Sequence, residues 1–399
     1  MNKVKKIQKM LAQMPSHETT PVKTQRVSSL ERYLTTHYEF RFNLLTEQTE
    51  FRVIGEECSV FQVIGKRELN SLSFEISRNG IKCGIGELTR YLQSSFIEEY
   101  YPFRLYLQTL PRWDGKDRLT DLAMRVSHQP LWVKGFHRWM LALTVQWMGR
   151  DQVHANSVAP LLISTEQGMM KSTFCKSLMP EALQAYYTDQ ADLSAKGNIE
   201  SKLALMGLIN LDEFDRLSPQ RMAQLKNLMQ MPSLNIRKAY QKNFRSLPRI
   251  ASFIGTSNRK DLLTDPTGSR RFLCVEVEQK IDCTNIDLNQ IYAQLKAELL
   301  AGKPYWFSSE EEEEIQQHNA SFYQVCPEEE LFRTRFRAPQ TSESYEELSL
   351  VDILDELRES HAHLLRHVDY KQFGAALVSA GIERVHTRFG NRYKVTRVA

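Results

Sequence analysis

The stretch LLISTEQGMMKSTF, residues 161–174, decides how this sequence is interpreted. An apolar strand ends at Ser164, a short loop follows, and Lys171, Ser172 and Thr173 open a predicted helix. In such a strand–loop–helix unit the backbone N–H groups and the positive end of the helix face an anion, and a lysine can reach its terminal phosphates. We therefore predict a phosphate-binding loop. A chance Lys-Ser-Thr at the start of a helix is the alternative.

This loop departs from the GxxxxGK[ST] pattern, because Thr165 and Met170 occupy the two glycine positions. Gly168 is the glycine inside the loop. We expect the turn to lie at Gly168 and Met170 to take helical backbone angles, since a left-handed conformation is costly for an L-residue. The predicted nucleotide contacts are Thr165, Glu166, Gln167, Gly168, Met169, Met170, Lys171, Ser172 and Thr173.

A second motif places two carboxylates at the end of an apolar strand, in LINLDEF at 208–214. Asp212 is suited to hold Mg²⁺ together with the Ser172 hydroxyl, and Glu213 is suited to act as the general base for an attacking water. The alternative for Asp212 is a helix cap.

Two further motifs follow in the order expected of a nucleotide hydrolase. The strand in FIGTSN ends at Asn258, whose amide could orient the attacking water, or could merely form a turn. Next, DPTGSRRF places Arg270 and Arg271 directly before another strand. An arginine delivered to a γ-phosphate, often by a neighbouring subunit, stabilises the charge of the transition state. A surface ion pair is the alternative for either arginine.

The alternation of apolar runs with helical stretches predicts an α/β core with crossover helices. We expect the following organisation: a flexible arm at 1–28, a mainly helical N-terminal domain at 29–150, the core at 151–335, a linker at 336–348, and a helix–helix–hairpin module resembling a winged helix at 349–399. The acidic run Glu310–Glu314 is expected to be a solvated helix face.

These motifs, together with LPRWDGKDRL at 110–119, resemble the virulence-associated protein E group, helicase-like ATPases of phages and mobile elements. The resemblance implies a P-loop NTPase core of the AAA+ or superfamily 3 helicase type that binds ATP and Mg²⁺. It also implies assembly into a homo-oligomeric ring, with a hexamer as the expected form. It assigns the Walker A, Walker B, sensor and finger roles to Lys171, Ser172, Asp212, Glu213, Asn258 and Arg270 or Arg271. Many relatives also carry a primase domain, but no primase-like acidic triad occurs in 1–150.

Two basic regions are candidates for DNA contact. The segment LNIRKAYQKNFRSLPRI contains no acidic residue and interleaves basic with aromatic side chains, which suits phosphate contact and base stacking. From Ser360 to Ala399, seven Lys and Arg residues face two acidic ones. The predicted contacts are Arg237, Lys238, Tyr240, Lys242, Arg245, Lys371, Arg388 and Arg392. A solvated basic loop and a protein-interaction module remain the alternatives.

Composition limits the function classes. The net charge of +4 means that DNA affinity must come from these local clusters rather than from the overall field. Six cysteines lack the spacing of a zinc site or a disulfide framework, so we expect reduced thiols and a cytoplasmic protein. No signal peptide or membrane span is expected.

The leading hypothesis is an ATP-driven DNA helicase or translocase serving the replication of a mobile element. It would act on single-stranded or forked DNA, with a primase or another replication protein as a possible partner. The rivals are a non-motor DNA-binding initiator or regulator switched by ATP, and a small-molecule P-loop kinase, which is disfavoured by the two basic regions and the absence of an obvious lid.

Overall fold

The structure is a computed structural model. It describes residues 29–56, 60–149, 154–190, 196–236, 245–263, 266–323, 327–340, 343–361, 365, 368–388 and 390–398. The predicted arm at 1–28 lies outside these ranges. Within them, no helix is both long and apolar enough to cross a membrane.

The N-terminal unit combines three helices with a small sheet. Its elements are α1 Ser29–His37, β1 Tyr38–Asn43, β2 Gln48–Val53, β3 Gln62–Val63, α2 Lys66–Arg78, α3 Ile85–Leu92 and β4 Glu99–Tyr100. The strand order is β3-β2-β1-β4, with β1 antiparallel to β2 and parallel to β4. The prediction of a mainly helical unit did not include this sheet. The alternation of aromatic residues at Tyr38, Phe40 and Phe42 is the signal that indicates a strand.

The central unit begins with helices and continues through a parallel sheet. Its first elements are α4 Pro102–Thr109, α5 Arg118–Met124, α6 Pro130–Trp147, β5 Ala159–Ile163, α7 Lys171–Ser177, a 3₁₀ turn at Glu181–Tyr186, β6 Tyr187–Thr188, α8 Lys196–Leu205 and β7 Leu208–Leu211. Its remaining elements are a 3₁₀ turn at Phe214–Arg216, α9 Pro219–Gln230, β8 Ser233–Ile236, β9 Arg245–Pro248, β10 Ser252–Ser257, a 3₁₀ turn at Pro266–Arg271, β11 Phe272–Glu276, α10 Leu288–Leu300, α11 Ser309–His318 and a 3₁₀ turn at Asn319–Phe322.

The predicted α/β core is confirmed as a five-stranded sheet with the order β11-β5-β10-β7-β6, in which all neighbours are parallel. Strand β10 comes late in the chain but lies between β5 and β7. The strands β5, β7 and β10 are buried along their whole length. Continuous burial explains their uninterrupted apolar runs, since both faces of a parallel sheet are covered.

Both faces of this sheet carry a hydrophobic core. Leu162 packs in one core with Trp139 of α6, whereas Leu161 lies in the core on the opposite face. A Cβ at Gly135 of α6 would lie 2.7 Å from Leu273 Cδ2, so glycine permits the close approach of this helix to β11. Helix α6 therefore belongs to the core of the sheet, and a domain boundary at residue 150 would divide that core.

The C-terminal unit starts before the predicted linker. Its elements are α12 Pro327–Arg335, β12 Phe336–Arg337, β13 Glu346–Leu348, α13 Leu350–His361, α14 Tyr370–Ser379, β14 Arg384–Thr387 and β15 Gly390–Arg397. Strand β15 pairs with β13, β14 and β12. The segment expected to be a linker thus supplies two strands, and Phe336 lies in the same hydrophobic core as Leu354, Phe373 and Tyr393.

Candidate functional site

A cavity of about 310 Å³ lies where β5, β7 and β10 end. It is lined by Gln167, Gly168, Met169, Met170, Lys171, Ser172, Thr173, Asp212, Glu213, Thr256 and Asn258. Three separate motifs of the sequence therefore meet at one place. Thr165 and Glu166 are exposed and do not line this cavity, and neither do Arg270 and Arg271.

Lys171 is the buried cation of the site, with only 8% of its surface exposed. Its Nζ donates to the Ser164 carbonyl oxygen at 3.1 Å and to Asn258 Oδ1 at 2.9 Å. Burial lowers the pKa of the Lys171 ammonium, and the nearby carboxylates of Asp212 and Asp215 oppose that shift. The structure thus joins the predicted phosphate-binding lysine directly to the predicted sensor amide.

Asp212, at the end of β7, contacts both the loop after β5 and the end of β10. Its Oδ1 accepts a hydrogen bond from Ser172 Oγ at 2.8 Å and another from Thr256 Oγ1 at 2.5 Å. The 3₁₀ turn that follows begins after Glu213 and has no side-chain cap. The helix-cap alternative for Asp212 is therefore not what the structure contains. A carboxylate beside a serine hydroxyl is instead an oxygen-rich pair, the ligand type that Mg²⁺ prefers.

Glu213 holds a conformation that is uncommon for a side chain of its size. Its φ is +53°, in the left-handed region. Its carboxylate pairs with Arg216 at 2.5 Å, and its backbone N–H reaches Thr256 Oγ1 at 3.4 Å. Such backbone strain costs roughly 1 kcal/mol or more and concentrates at functional sites. The turn after β7 directs this carboxylate to the edge of the cavity.

The expectation for the loop backbone is wrong at Met170. This residue precedes α7 with φ +63° and ψ +21°, while Gly168 also has a positive φ of +77°. The left-handed turn therefore includes Met170 rather than ending at Gly168. Met170 packs against the hydrophobic core that contains Phe174, so apolar burial offsets the conformational cost. Its carbonyl oxygen accepts the Phe174 N–H at 2.9 Å, which starts the helix.

Sequence analysis missed two polar residues of the site. Thr256 bonds Asp212, and Asp215 Oδ1 accepts from Ser257 Oγ at 2.9 Å and from the Asn258 backbone N–H at 3.4 Å. The signal for Thr256 is that the apolar strand β10 leads into three consecutive polar residues, Thr256, Ser257 and Asn258. The sequence motif predicts a role only for the last of them.

The two arginines of the fourth motif lie at the opposite edge of the sheet, where the parallel strands begin. They precede β11, which runs parallel to β5 with Phe272 opposite Ala159 and Glu276 opposite Ile163. Arg270 Nη1 lies 3.3 Å from the Glu312 carboxylate, so the ion-pair alternative describes the contact observed within this chain. Arg271 is partly buried.

The structure describes only some of the predicted DNA-contacting residues. Arg237, Lys238, Tyr240 and Lys242 lie outside the described residues, as do the side chains of Arg245 and Lys371. Arg245 starts β9, which pairs antiparallel with β8. Arg388 is exposed in the turn of the β14–β15 hairpin. Arg392 instead donates to the Glu347 carbonyl oxygen at 2.9 Å, which ties its guanidinium to the C-terminal unit.

The chain matches the family model of the virulence-associated protein E-like domain over residues 107–324. Because this match covers more than half of the 399 residues, the chain belongs to that family. Residues 325–395 match a second model, a domain of unknown function described from a B. Theta gene. The boundary between the two matches agrees with the start of the C-terminal unit at α12.

Among solved structures, the chain is similar to the apo C-terminal region of NrS-1, with 14% identity and a TM-score of 0.44 over 95% of this chain and 100% of that one. An A-form apo structure of the same region gives 14% identity and a TM-score of 0.43, covering 94% of this chain and 100% of the other. No curated protein matches the chain.

Proposed function

We propose that this chain is an ATP-dependent NTPase of the DNA helicase or translocase type that acts in the replication of a phage or mobile element. The observation that carries this proposal is the contact of Lys171 with Asn258, and of Ser172 with Asp212, across three strand ends. Membership of the virulence-associated protein E-like family supports the biological setting.

The residues of the cavity fit ATP and Mg²⁺. Ser172 and Asp212 would hold the ion, because Mg²⁺ is usually bound by one or two protein oxygens and completes its shell with phosphate and water. Lys171 would contact the terminal phosphates. Bound Mg²⁺ would neutralise the charge that develops on the phosphates.

The strand order supports hydrolysis rather than binding alone. Because β10 lies between β5 and β7, the Asn258 amide is held beside the lysine that would contact the phosphates. Asn258 would orient the attacking water, and Glu213 would accept its proton. Glu213 must leave Arg216 to do so, and the exposure of both side chains makes this ion pair inexpensive to break.

The position of the arginines supports a ring assembly. Arg270 and Arg271 precede β11, whereas the cavity lies beyond the opposite ends of its neighbouring strands. A finger role therefore requires the site of another subunit. We propose a homo-oligomeric ring, with a hexamer as the expected size, in which one subunit supplies an arginine to the next.

DNA contact is proposed for the segment between β8 and β9 and for the hairpin of the C-terminal unit. Replacing Lys238 and Lys242 with Ala should flatten the salt dependence of single-strand binding by about 0.7 log units per lost phosphate contact. An unchanged slope would assign binding to the C-terminal unit, where Arg388 is the exposed candidate in the described hairpin.

One observation favours a second candidate, an initiator or regulator that uses ATP as a switch. Met170 takes a left-handed conformation where the common pattern has glycine, and its side chain is packed into the core. A loop stiffened in this way could bind nucleotide but turn it over slowly.

Steady-state ATP hydrolysis with and without single-stranded DNA tests the proposal. A motor predicts turnover that DNA stimulates and that Lys171→Ala abolishes. ATP-dependent DNA binding without turnover would favour the switch. Turnover that is indifferent to DNA and survives Lys171→Ala contradicts both.

A further inference from the structure

The turn that carries Arg270 is fixed by the segment that follows α11. The fully buried Asn319 donates through Nδ2 to the Ser269 carbonyl oxygen at 2.9 Å and to the Phe272 carbonyl oxygen at 2.7 Å. The Tyr323 hydroxyl also donates to Ser269 Oγ. These contacts hold the backbone on both sides of Arg270 and so fix the position from which its side chain extends.

Helix α11 was expected to present its acidic run to solvent, but three of its carboxylates bind basic side chains. Glu311 pairs with Arg138 at 3.0 Å, Glu314 with Lys134 at 3.6 Å, and Glu312 with Arg270 at 3.3 Å. Two of these partners lie on α6 and one lies on the arginine turn. The acidic run therefore joins α11 to separate parts of the central unit.

Glu312 itself stands on a well-defined helix start. The Ser308 hydroxyl accepts the Glu311 backbone N–H at 3.2 Å, and the Glu311 carboxylate accepts the Ser308 N–H at 3.0 Å. This reciprocal pair stabilises the first helical turn and places the following residue, Glu312, against the arginine turn. The Glu312 side chain is only 28% exposed, compared with 46% for Arg270.

We propose that Glu312 is a positioning residue that orients Arg270 towards the nucleotide site of a neighbouring copy of this chain. The inference rests on the proposed ATPase function. A guanidinium carries five N–H donors, and the contact with Glu312 engages the Nη1 edge, leaving other donors for a phosphate. An arginine side chain loses rotamer entropy when it is fixed, so a carboxylate that restricts it beforehand favours productive contact.

The position of this pair excludes a direct role in its own subunit's cavity. Strand β11 has five residues and separates Arg270 from the edge at which the cavity lies. At roughly 3.3 Å per residue, that separation is about 16 Å along the strand. Glu312 therefore affects turnover through Arg270 and through a second subunit.

Steady-state ATP hydrolysis by Glu312→Ala and Glu313→Ala is the first test. Glu313 is the matched control, since it is the next residue on α11, is exposed, and pairs with no basic side chain among the described residues. We expect Glu312→Ala to lower kcat on the order of tenfold and to leave KM within about twofold, because an arginine finger contributes about a thousandfold or more. Glu312→Gln retains an acceptor and should fall between Glu312→Ala and wild type. Glu313→Ala should match wild type.

Two further measurements separate positioning from a general structural effect. In an Arg270→Ala background, Glu312→Ala should change kcat no further, because its effect passes through Arg270. Mixing Glu312→Ala protein with Lys171→Ala protein should restore turnover, because the second protein supplies an intact Arg270–Glu312 pair to the intact cavity of the first. Thermal unfolding of each variant checks that the fold is retained.

The outcomes distinguish this inference from the function on which it rests. If wild type shows no ATP turnover, the proposed function and this inference both fail. If wild type turns over ATP but Glu312→Ala behaves like Glu313→Ala, or still lowers kcat without Arg270, only the positioning role is overturned. Absence of rescue on mixing overturns the action between subunits.

Discussion

Charged side chains are placed differently at the two ends of the parallel strands, which form opposite edges of the central sheet. At one edge, Lys171 and Asp212 contact polar groups from neighbouring strand ends and line an open cavity. At the other edge, Arg249 is 1% exposed, and its Nε and Nη1 have no hydrogen-bond partner among the described residues. Arg270 at that edge pairs with Glu312 of a later helix. The first arrangement is suited to a ligand. The groups of the second lie at the opposite ends of the strands and do not line the cavity.

This difference also explains which features the sequence reveals. The carboxyl ends of adjacent parallel strands meet at one edge, so polar residues after apolar runs predict a common site. The contacts at the opposite edge join residues that are far apart in the chain, as with Arg270 and Glu312. Local patterns do not contain those partners.

The largest effect is expected from Glu213→Gln at the cavity edge. Removing the general base should lower ATP turnover about 10²- to 10⁴-fold while nucleotide binding is retained. Glu276→Gln is the control, because Glu276 ends β11 at the same edge but does not line the cavity. Single-turnover hydrolysis and nucleotide titration measure the two properties separately. Equal turnover by the two variants would remove Glu213 from the mechanism.

Thr256→Val tests one of the two site residues that sequence analysis missed. The variant keeps the shape of the side chain but removes the hydroxyl that donates to Asp212. Hydrogen bonds to charged groups contribute about 2 kcal/mol, so the affinity for Mg²⁺–ATP should fall roughly thirtyfold. The affinity for ATP without Mg²⁺ should change much less. A similar loss in both conditions would show that Thr256 does not act through the ion site.

Arg249→Met tests the opposite edge through stability. Burial lowers the pKa of Arg249 to about 9, and its Nη2 donates to the Asn156 carbonyl oxygen at 3.0 Å. Replacing this buried charge with an apolar side chain should raise the free energy of unfolding by about 1–2 kcal/mol. The gain should shrink above pH 9, because there the folded wild type holds fewer protons than the unfolded chain and becomes more stable as pH rises.

Urea denaturation at pH 7 and at pH 10 measures this gain. Arg259→Met is the control, because that guanidinium is exposed and paired with Asp261 at 2.7 Å, so its midpoint should stay unchanged. A marked destabilisation by Arg249→Met at pH 7 would mean that the guanidinium has a partner that stabilises it.

The smallest effect concerns the backbone at Met170. Where φ is negative, a protein with alanine at a position is more stable than one with glycine. At a left-handed position the glycine variant is the more stable, by about 1 kcal/mol. Met170→Gly should therefore be more stable to urea than Met170→Ala. The same pair of substitutions at Met169, which has no positive φ, should show the ordinary order. The ordinary order at both positions contradicts the loop conformation described above.

How much could be predicted from the sequence depends on the kind of contact. The α/β core and the meeting of Lys171, Asp212 and Asn258 followed from strand-end motifs. The left-handed Met170 did not, because its cost is offset by packing against Phe174 and other residues of a core that a local pattern does not reveal. The segment 336–348 is predicted to be a linker, because its strands are short and depend on pairing with β15.

Nucleotide titration of wild type and Lys171→Ala by calorimetry, with Mg²⁺ present, tests the central claim most directly. The account predicts that wild type binds ATP at a single site and that Lys171→Ala weakens binding about a hundredfold or more, since the ammonium contributes charge-assisted contacts to the terminal phosphates. Unfolding curves should confirm that the variant is folded. Equal ATP affinity in the two proteins would show that the cavity formed by Lys171, Asp212 and Asn258 is not the nucleotide site.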